Sequence, residues 1–218
     1  MKCLIGKNTW ELLPEKAIHW AEQSTLIVSD IHLGKAGHFR KHGIGVPVDA
    51  NLENLARLTR LLDQTKAVRL LVLGDLFHSD QNPEWDVFKE WLAAELEGGS
   101  LEELLLIQGN HDVLPPAEWN QKGMRIEAAL LEDDLFFVHD SQEHEPVGGA
   151  WTVCGHVHPA VRLIGGGKQA LRVPCWWLNQ EKRQLTLPAF GAFTGSFTVK
   201  PSRKDTCWVT TGTAILAV

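Results

Sequence analysis

The chain has 218 residues, 44% hydrophobic and 22% charged, with a formal net charge of -6. That length carries a full α/β core, and the acidic balance excludes a protein that coats nucleic acid through a global basic field. Cys3, Cys154, Cys175 and Cys207 are too scattered for a zinc ribbon or a redox motif and fit a reducing cytoplasm, while no segment has the length of a signal peptide's apolar run or a membrane span.

Taken in chain order, STLIVSD (24–30) is a short apolar run ending in Asp, which predicts a buried strand followed by a loop. VDANLENLARLTRLLDQ (48–64) predicts a helix with Leu52, Leu55, Leu58 and Leu62 on one face and Asp49 as N-cap. VRLLVLGD (68–75) is a second buried strand. PEWDVFKEWLAAELE (83–97) predicts a helix opened by Pro, with Trp85, Phe88, Leu92 and Leu96 in one stripe. Trp85 and Trp91 are read as core, not as a base-stacking platform. LEELLLIQGNHD (101–112) ends a third strand in the same manner, and DLFFVHD (134–140) and WTVCGHVHP (151–159) add further strands with polar ends. IGGGK (164–168) lacks the full phosphate-loop pattern and reads as a hairpin turn. LRVPCWWLN, QLTLPAF, GSFTVK and CWVTTGTAILAV read as short strands separated by Gly and Pro turns. Helices alternate with strands early and strands dominate late. The expected fold is therefore α/β (α+β): two packed mixed sheets flanked by helices, in one domain spanning 1–218.

Each apolar run ends in residues able to hold a metal: Asp30 with His32, Asp75, Asn110 with His111, His139, and His156 with His158. Loops at the carboxyl ends of strands form the ligand crevice of α/β sheets, so five strand ends converge. Two histidines two apart in CGHVHPA have no folding rationale but suit a metal site. Asp, Asn and His without Cys match manganese, iron or zinc rather than a thiolate centre. The set is too large for one tetrahedral ion and sufficient for two if a carboxylate bridges. Ions about 3.5–4 Å apart clamp both oxygens of a phosphoryl transfer. Read one at a time, Asp30 and Asp75 would serve as helix caps or loop carboxylates, Asn110 as a turn residue after Gly109, and His139 as a hydrogen-bonded core histidine.

The blocks DIHLGK, GDLFHS, GNHD, FVHD and GHVHP resemble, in order and spacing, the calcineurin-like metallophosphoesterases, over residues 24 to 160. SDIHLGKAGHFRKHG, GDLFHS and LPAFGAFTG (187–195) are similar to a narrower group, the ligase-associated (PdeM-like) metallophosphoesterases of bacterial DNA-repair clusters. The first resemblance implies a four-layer αββα sandwich and two divalent ions, manganese foremost with iron or zinc as alternatives. It implies Asp30, His32 and His158 on one ion, Asn110, His139 and His156 on the other, and Asp75 bridging. It further implies a metal-held hydroxide as the nucleophile, His111 as the acid that stabilises the transition state or protonates the leaving oxygen, and Asp112 as the group that orients His111. The narrower resemblance implies a phosphodiesterase, a DNA nuclease, linked to a DNA ligase and a helicase. Single-stranded DNA is the expected target because the chain is acidic and shows no long Lys/Arg stripe to track a duplex, only a short basic segment from Lys35 to Lys41 with Phe39 to stack a base. Phosphomonoesterase, protein phosphatase and cyclic-nucleotide phosphodiesterase activities share the metal core and stay open, as does a non-catalytic scaffold.

His78, Lys35, Phe39 and Arg40 are candidates for substrate binding, against the alternative of a solvated loop. Arg172 either reaches the site or is a strand-edge charge. His19, His38, His42 and His144 show no pattern and are read as surface residues.

Overall fold

The computed structural model describes residues 1–35, 50–78, 83–113, 121–165, 169–192 and 194–218. Strands β1 (Lys2–Ile5), β2 (Asn8–Leu13), β3 (Ala17–Trp20), β4 (Thr25–Val28), β5 (Arg69–Leu73), β6 (Glu103–Ile107) and β7 (Met124–Glu127) form one sheet in that spatial order. The first four meander antiparallel, and β4 to β7 run parallel. The β4–β5 and β5–β6 connections pass through α1 (Ala50–Thr65) and α2 (Pro83–Glu97), because parallel neighbours need a crossover of about helix length.

TLIV, RLLVL and ELLLI are almost continuously apolar because both faces of these strands are covered. Leu26, Val28, Leu70, Val72, Leu104 and Leu106 face the helices with Leu55, Leu58, Leu61, Leu62, Trp85 and Phe88. The alternate residues Ile27, Leu71, Leu73, Leu105 and Ile107 face a second sheet through Phe137, Val153, Trp176, Leu185 and Leu187.

The second sheet contains β8 (Leu130–Glu132), β9 (Leu135–Phe137), β10 (Trp151–Cys154), β11 (Pro159–Ile164), β12 (Ala170–Asn179), β13 (Gln184–Thr186) and β14 (Phe197–Thr198), in the order β14-β11-β12-β13-β10-β9-β8. Strand β15 (Thr206–Thr210) pairs with β12, and β16 (Ile215–Ala217) with β15. Pairing is mixed: β10 is parallel to β9 and β13, and β11 is antiparallel to β12. The two mixed sheets are therefore those expected. Among the described residues both α-helices lie on the first sheet, and the outer face of the second is covered by Val161, Val173, Cys175, Val199, Cys207 and Val209.

Three local expectations need revision or fall outside this description. Leu52 is 52% exposed, not part of the buried stripe; Leu61, at 1%, completes the stripe instead, because the buried face is centred on Leu55, Leu58, Leu61 and Leu62 and Leu52 falls on its flank. Asp49, the expected N-cap, lies outside the described residues, as do Gly166 to Lys168. The flanks of that last segment are antiparallel, with Ile164 opposite Ala170, as a hairpin demands. The three N-terminal strands were not anticipated; their core residues Ile5, Trp10, Leu12, Ile18 and Trp20 are spread over runs of only four to six residues.

Candidate metal centre

The loops after β4, β5 and β6 in the first sheet and after β9 and β10 in the second meet at one edge of the sandwich. Backbone bonds join them: Asp30 N–H donates to Gly74 O (3.1 Å), His32 N–H to Asp75 O (2.9 Å) and Gly155 N–H to His139 O (3.0 Å). Asp30, His32, Asp75, His156 and His158 all have φ between 50° and 63°. Non-glycine residues rarely adopt this left-handed region, and Asp and His are among those that do so most readily. Five such residues in one cluster indicate loops shaped to aim side chains, at a backbone cost that the surrounding packing must offset. Gly74 is required for clearance: a Cβ there would lie 2.1 Å from Nδ1 of His139. A Cβ on Gly109 would likewise lie 2.4 Å from Asp75 Oδ1.

Two groups of side chains converge there. Asp30, His32 and His158 form one, and Asp30, Asp75 and His139 the other, each with ligand atoms within 4.8 Å of one another. In the first, His158 Nε2 is 3.0 Å from Asp30 Oδ1 and 3.4 Å from His32 Nε2. In the second, His139 Nε2 is 3.5 Å from Asp75 Oδ1, while His32 Nε2 is 3.7 Å from Asp75 Oδ2. Asp75 thus touches histidines of both groups. Asn110 and His156 join the second group through His139, with Asn110 Oδ1 at 3.2 Å and His156 Nδ1 at 3.1 Å from its Nε2.

The tautomers are set from behind. His139 Nδ1 lies 3.0 Å from Leu73 O, and His158 Nδ1 lies 3.1 Å from Gly195 O. A carbonyl only accepts, so both Nδ1 atoms carry the proton and both Nε2 lone pairs face the cluster. His156 Nε2 is 3.6 Å from Asp140, the outer carboxylate that commonly orients a metal-binding imidazole.

Two carboxylates, Asp30 and Asp75 at 0% and 2% exposure, and several imidazole lone pairs facing one another at these distances form a site that could hold cations between them. The donor set, oxygen and imidazole nitrogen without thiolate, fits divalent ions of borderline character. Burial, then the nearby Lys35 charge, pushes His32 down to about 2, so its imidazole is neutral and competent as a ligand. Burial alone would raise Asp30, but the His158 hydrogen bond and the surrounding imidazoles hold it below the ordinary carboxylate range. Burial raises Asp75, against the pull of His139 and the His111 backbone N–H.

His111 stands beside the cluster. Its backbone N–H donates to Asp75 Oδ1 (3.0 Å), and its ring packs edge-on to His32 at 5.5 Å. His78 stacks on His111 at 5.2 Å and meets the edge of His32 at 5.4 Å. Lys35 is partly buried in the field of Asp75 and Asp30; desolvation lowers its pKa, and the two carboxylates oppose that shift. Phe39 and Arg40, with His38 and His42, lie outside the described residues.

Asp112 does not have the role expected of it. Its carboxylate accepts N–H bonds from Asp75 (2.8 Å), Gly109 (2.9 Å) and Phe77 (3.1 Å), rather than one from the His111 imidazole. The turn after Gly109 points it inward, to 1% exposure, where it ties the Asp75 loop to the Asn110 loop.

The segment 187–195 is part of the same assembly. Phe190 N–H donates to Ser29 O (2.8 Å) and Gly191 N–H to Asp30 O (3.1 Å), so this segment fixes the loop that carries Asp30. Arg57 covers the buried Phe190 ring at 3.8 Å and donates to its carbonyl. Reading along the sequence missed Asp140, Lys16 and Arg57. Lys16 Nζ donates to Gly191 O (3.1 Å) from 175 residues away, a proximity that no local pattern carries.

A family profile described as calcineurin-like phosphoesterase matches residues 24–185. The nuclease MPE of Pseudomonas putida is similar in structure, with a TM-score of 0.77 and 27% identity over 100% of this chain and 99% of that one. Yfce, a phosphoesterase from E. coli, has a TM-score of 0.43 and 19% identity over 85% of this chain and 86% of its own. No curated protein sequence matches the chain. Among the described residues no helix is long and apolar enough to cross a membrane.

Proposed function

This chain belongs to the calcineurin-like phosphoesterase family, and on that premise we propose that it is a phosphodiesterase acting as a nuclease on single-stranded DNA with two divalent ions, manganese first. The carrying observation is the pair of ligand groups, Asp30–His32–His158 and Asp30–Asp75–His139, gathered from both sheets; they share Asp30, and Asp75 lies 3.7 Å from His32 and 3.5 Å from His139. Family members are hydrolases of phosphate esters that use divalent metals. Two ions held by these residues, with Asn110 and His156 completing the second group, would activate a water and neutralise charge on the non-bridging oxygens.

The protein's own residues do the rest. His111 would protonate the departing oxygen, a role supported by its backbone bond to Asp75 and its ring stacking on His78. Such general acid catalysis is worth about 10²–10⁴-fold. Lys35 adds positive charge where the carboxylates would otherwise repel an incoming phosphate. Asp112 keeps the two loops in register.

The diester and nuclease assignments draw on the sequence resemblance and on a nuclease as a structural neighbour across its whole length. The single-strand preference draws on the acidic chain and the recessed cluster, into which a stiff duplex would have to bend. A working link to a DNA ligase and a helicase in the cytoplasm draws on the narrower sequence resemblance alone.

The test is one assay series with manganese: an aryl phosphodiester, its monoester, a single-stranded oligonucleotide and its duplex. The proposal expects the diester to exceed the monoester and the single strand to exceed the duplex. A faster monoester would overturn the phosphodiesterase assignment. His111→Ala should keep the metal content of the wild type while turnover falls about 10²–10⁴-fold, and an activated leaving group should recover part of the loss.

A further inference from the structure

Beyond His158, on the side away from Asp75, lies a pocket of about 140 Å³ lined by Lys16, His158, Arg172, Thr194 and Ser196, among others. None of its lining residues is acidic. Lys16 reaches it from the β2–β3 turn, where its φ is 69°, a conformation that glycine or asparagine would hold at lower cost. Its ammonium is held by Gly191 O (3.1 Å). Arg172 donates to Ser196 O (3.1 Å). Among the described residues neither cation forms an ion pair.

The hairpin next to the pocket repeats the pattern. Arg162 on β11 lies directly opposite Arg172 on β12. Side chains in that relation share one face, with Cβ atoms about 4.5–5.5 Å apart, and like charges there repel. Arg162 also forms no ion pair among the described residues. A cross-strand arginine pair without an acid is a site where an anion relieves repulsion. Basic grooves that track the phosphate backbone are how single-stranded nucleic acid is held without sequence preference.

We propose that Lys16, Arg172 and Arg162 form a phosphate track leading outward from His158, which binds the phosphates of a single-stranded polynucleotide next to the one at the metal centre. This rests on the nuclease reading above and adds the path of the strand. Burial and the Arg57 charge push the Lys16 ammonium down to about 7, so an arriving phosphate offsets an unfavourable local field.

The experiment measures binding separately from cleavage. Fluorescence anisotropy follows a labelled single-stranded oligonucleotide on manganese-loaded protein in a His111→Ala background, which suppresses turnover. Replacing Lys16, Arg162 and Arg172 together by Gln should raise Kd at least about tenfold. It should also make the dependence of log K on log salt shallower by about two, at about 0.7 per lost phosphate contact. Melting temperature and metal content serve as folding controls; should Lys16→Gln disturb either, the exposed Arg162/Arg172 double variant carries the same test, with a slope change of about 1.4. An unchanged Kd and slope, or no oligonucleotide binding by the parent protein, would overturn the track. Binding with the expected slope but no cleavage by the wild type would leave the track standing and overturn the nuclease reading instead.

Discussion

The two halves of the metal centre are built differently. Asp30, His32 and His158 are enclosed: Asp30 and His32 are at 0% and 4% exposure, His158 is held by Gly195 O, and the Asp30 loop is tied to segment 187–195. The Asn110–His139–His156 half is open at its rim. His139 is buried, but the His156 side chain is 40% exposed and is oriented by Asp140 at 3.6 Å, and Asn110 is exposed. A rigid enclosed site holds an ion by preorganisation, and an open one exchanges its ion and admits substrate. The enclosed half should therefore bind its ion tightly, and the open half more weakly. Asp75 lies 3.7 Å from His32 and 3.5 Å from His139 and, as the proposed bridge, should be the residue on which both depend.

The largest expected effect tests that joint. Asp75→Asn should weaken both ions and reduce turnover at least about a hundredfold, more than an outer-shell change does. Metal analysis showing only one ion affected would separate the halves. Asp112→Asn comes next. The amide puts an NH2 where a carboxylate now accepts backbone N–H groups, costing about 1–3 kcal/mol in a buried site. Thermal unfolding should detect it, with the open half losing metal first because the Asp75 and Gly109 loops lose their common anchor. The smallest effect is expected from Asp140→Asn, which leaves every ligand in place. It should weaken the open-half ion about tenfold and leave the enclosed ion unchanged, as manganese titration of the variant would show.

How much of this was legible in the sequence follows from where each residue acts. β4, β5 and β6 were readable because strands buried on both faces are uninterrupted apolar runs. β1 to β3 and β7 were not, because short, half-exposed strands mix polar and apolar residues without a clear period. The candidate ligands were readable because each follows a strand end within a few residues, so sequence order and spatial convergence coincide. Asp112 was assigned to His111 because the two are adjacent in the chain, whereas the turn sends the carboxylate to Asp75, 37 residues away. Lys16 and Arg162 gave no signal, since a lysine in a turn and an arginine on a strand are ordinary until the fold places Lys16 in the pocket beside His158 and Arg162 opposite Arg172.

The most direct test is a manganese titration of the metal-free wild-type protein, counting ions per chain and resolving their affinities. The account predicts two ions, one tight and one weaker, with turnover appearing only as the second binds. A single ion per chain, or full activity at one equivalent, would contradict the two-half centre built around Asp75.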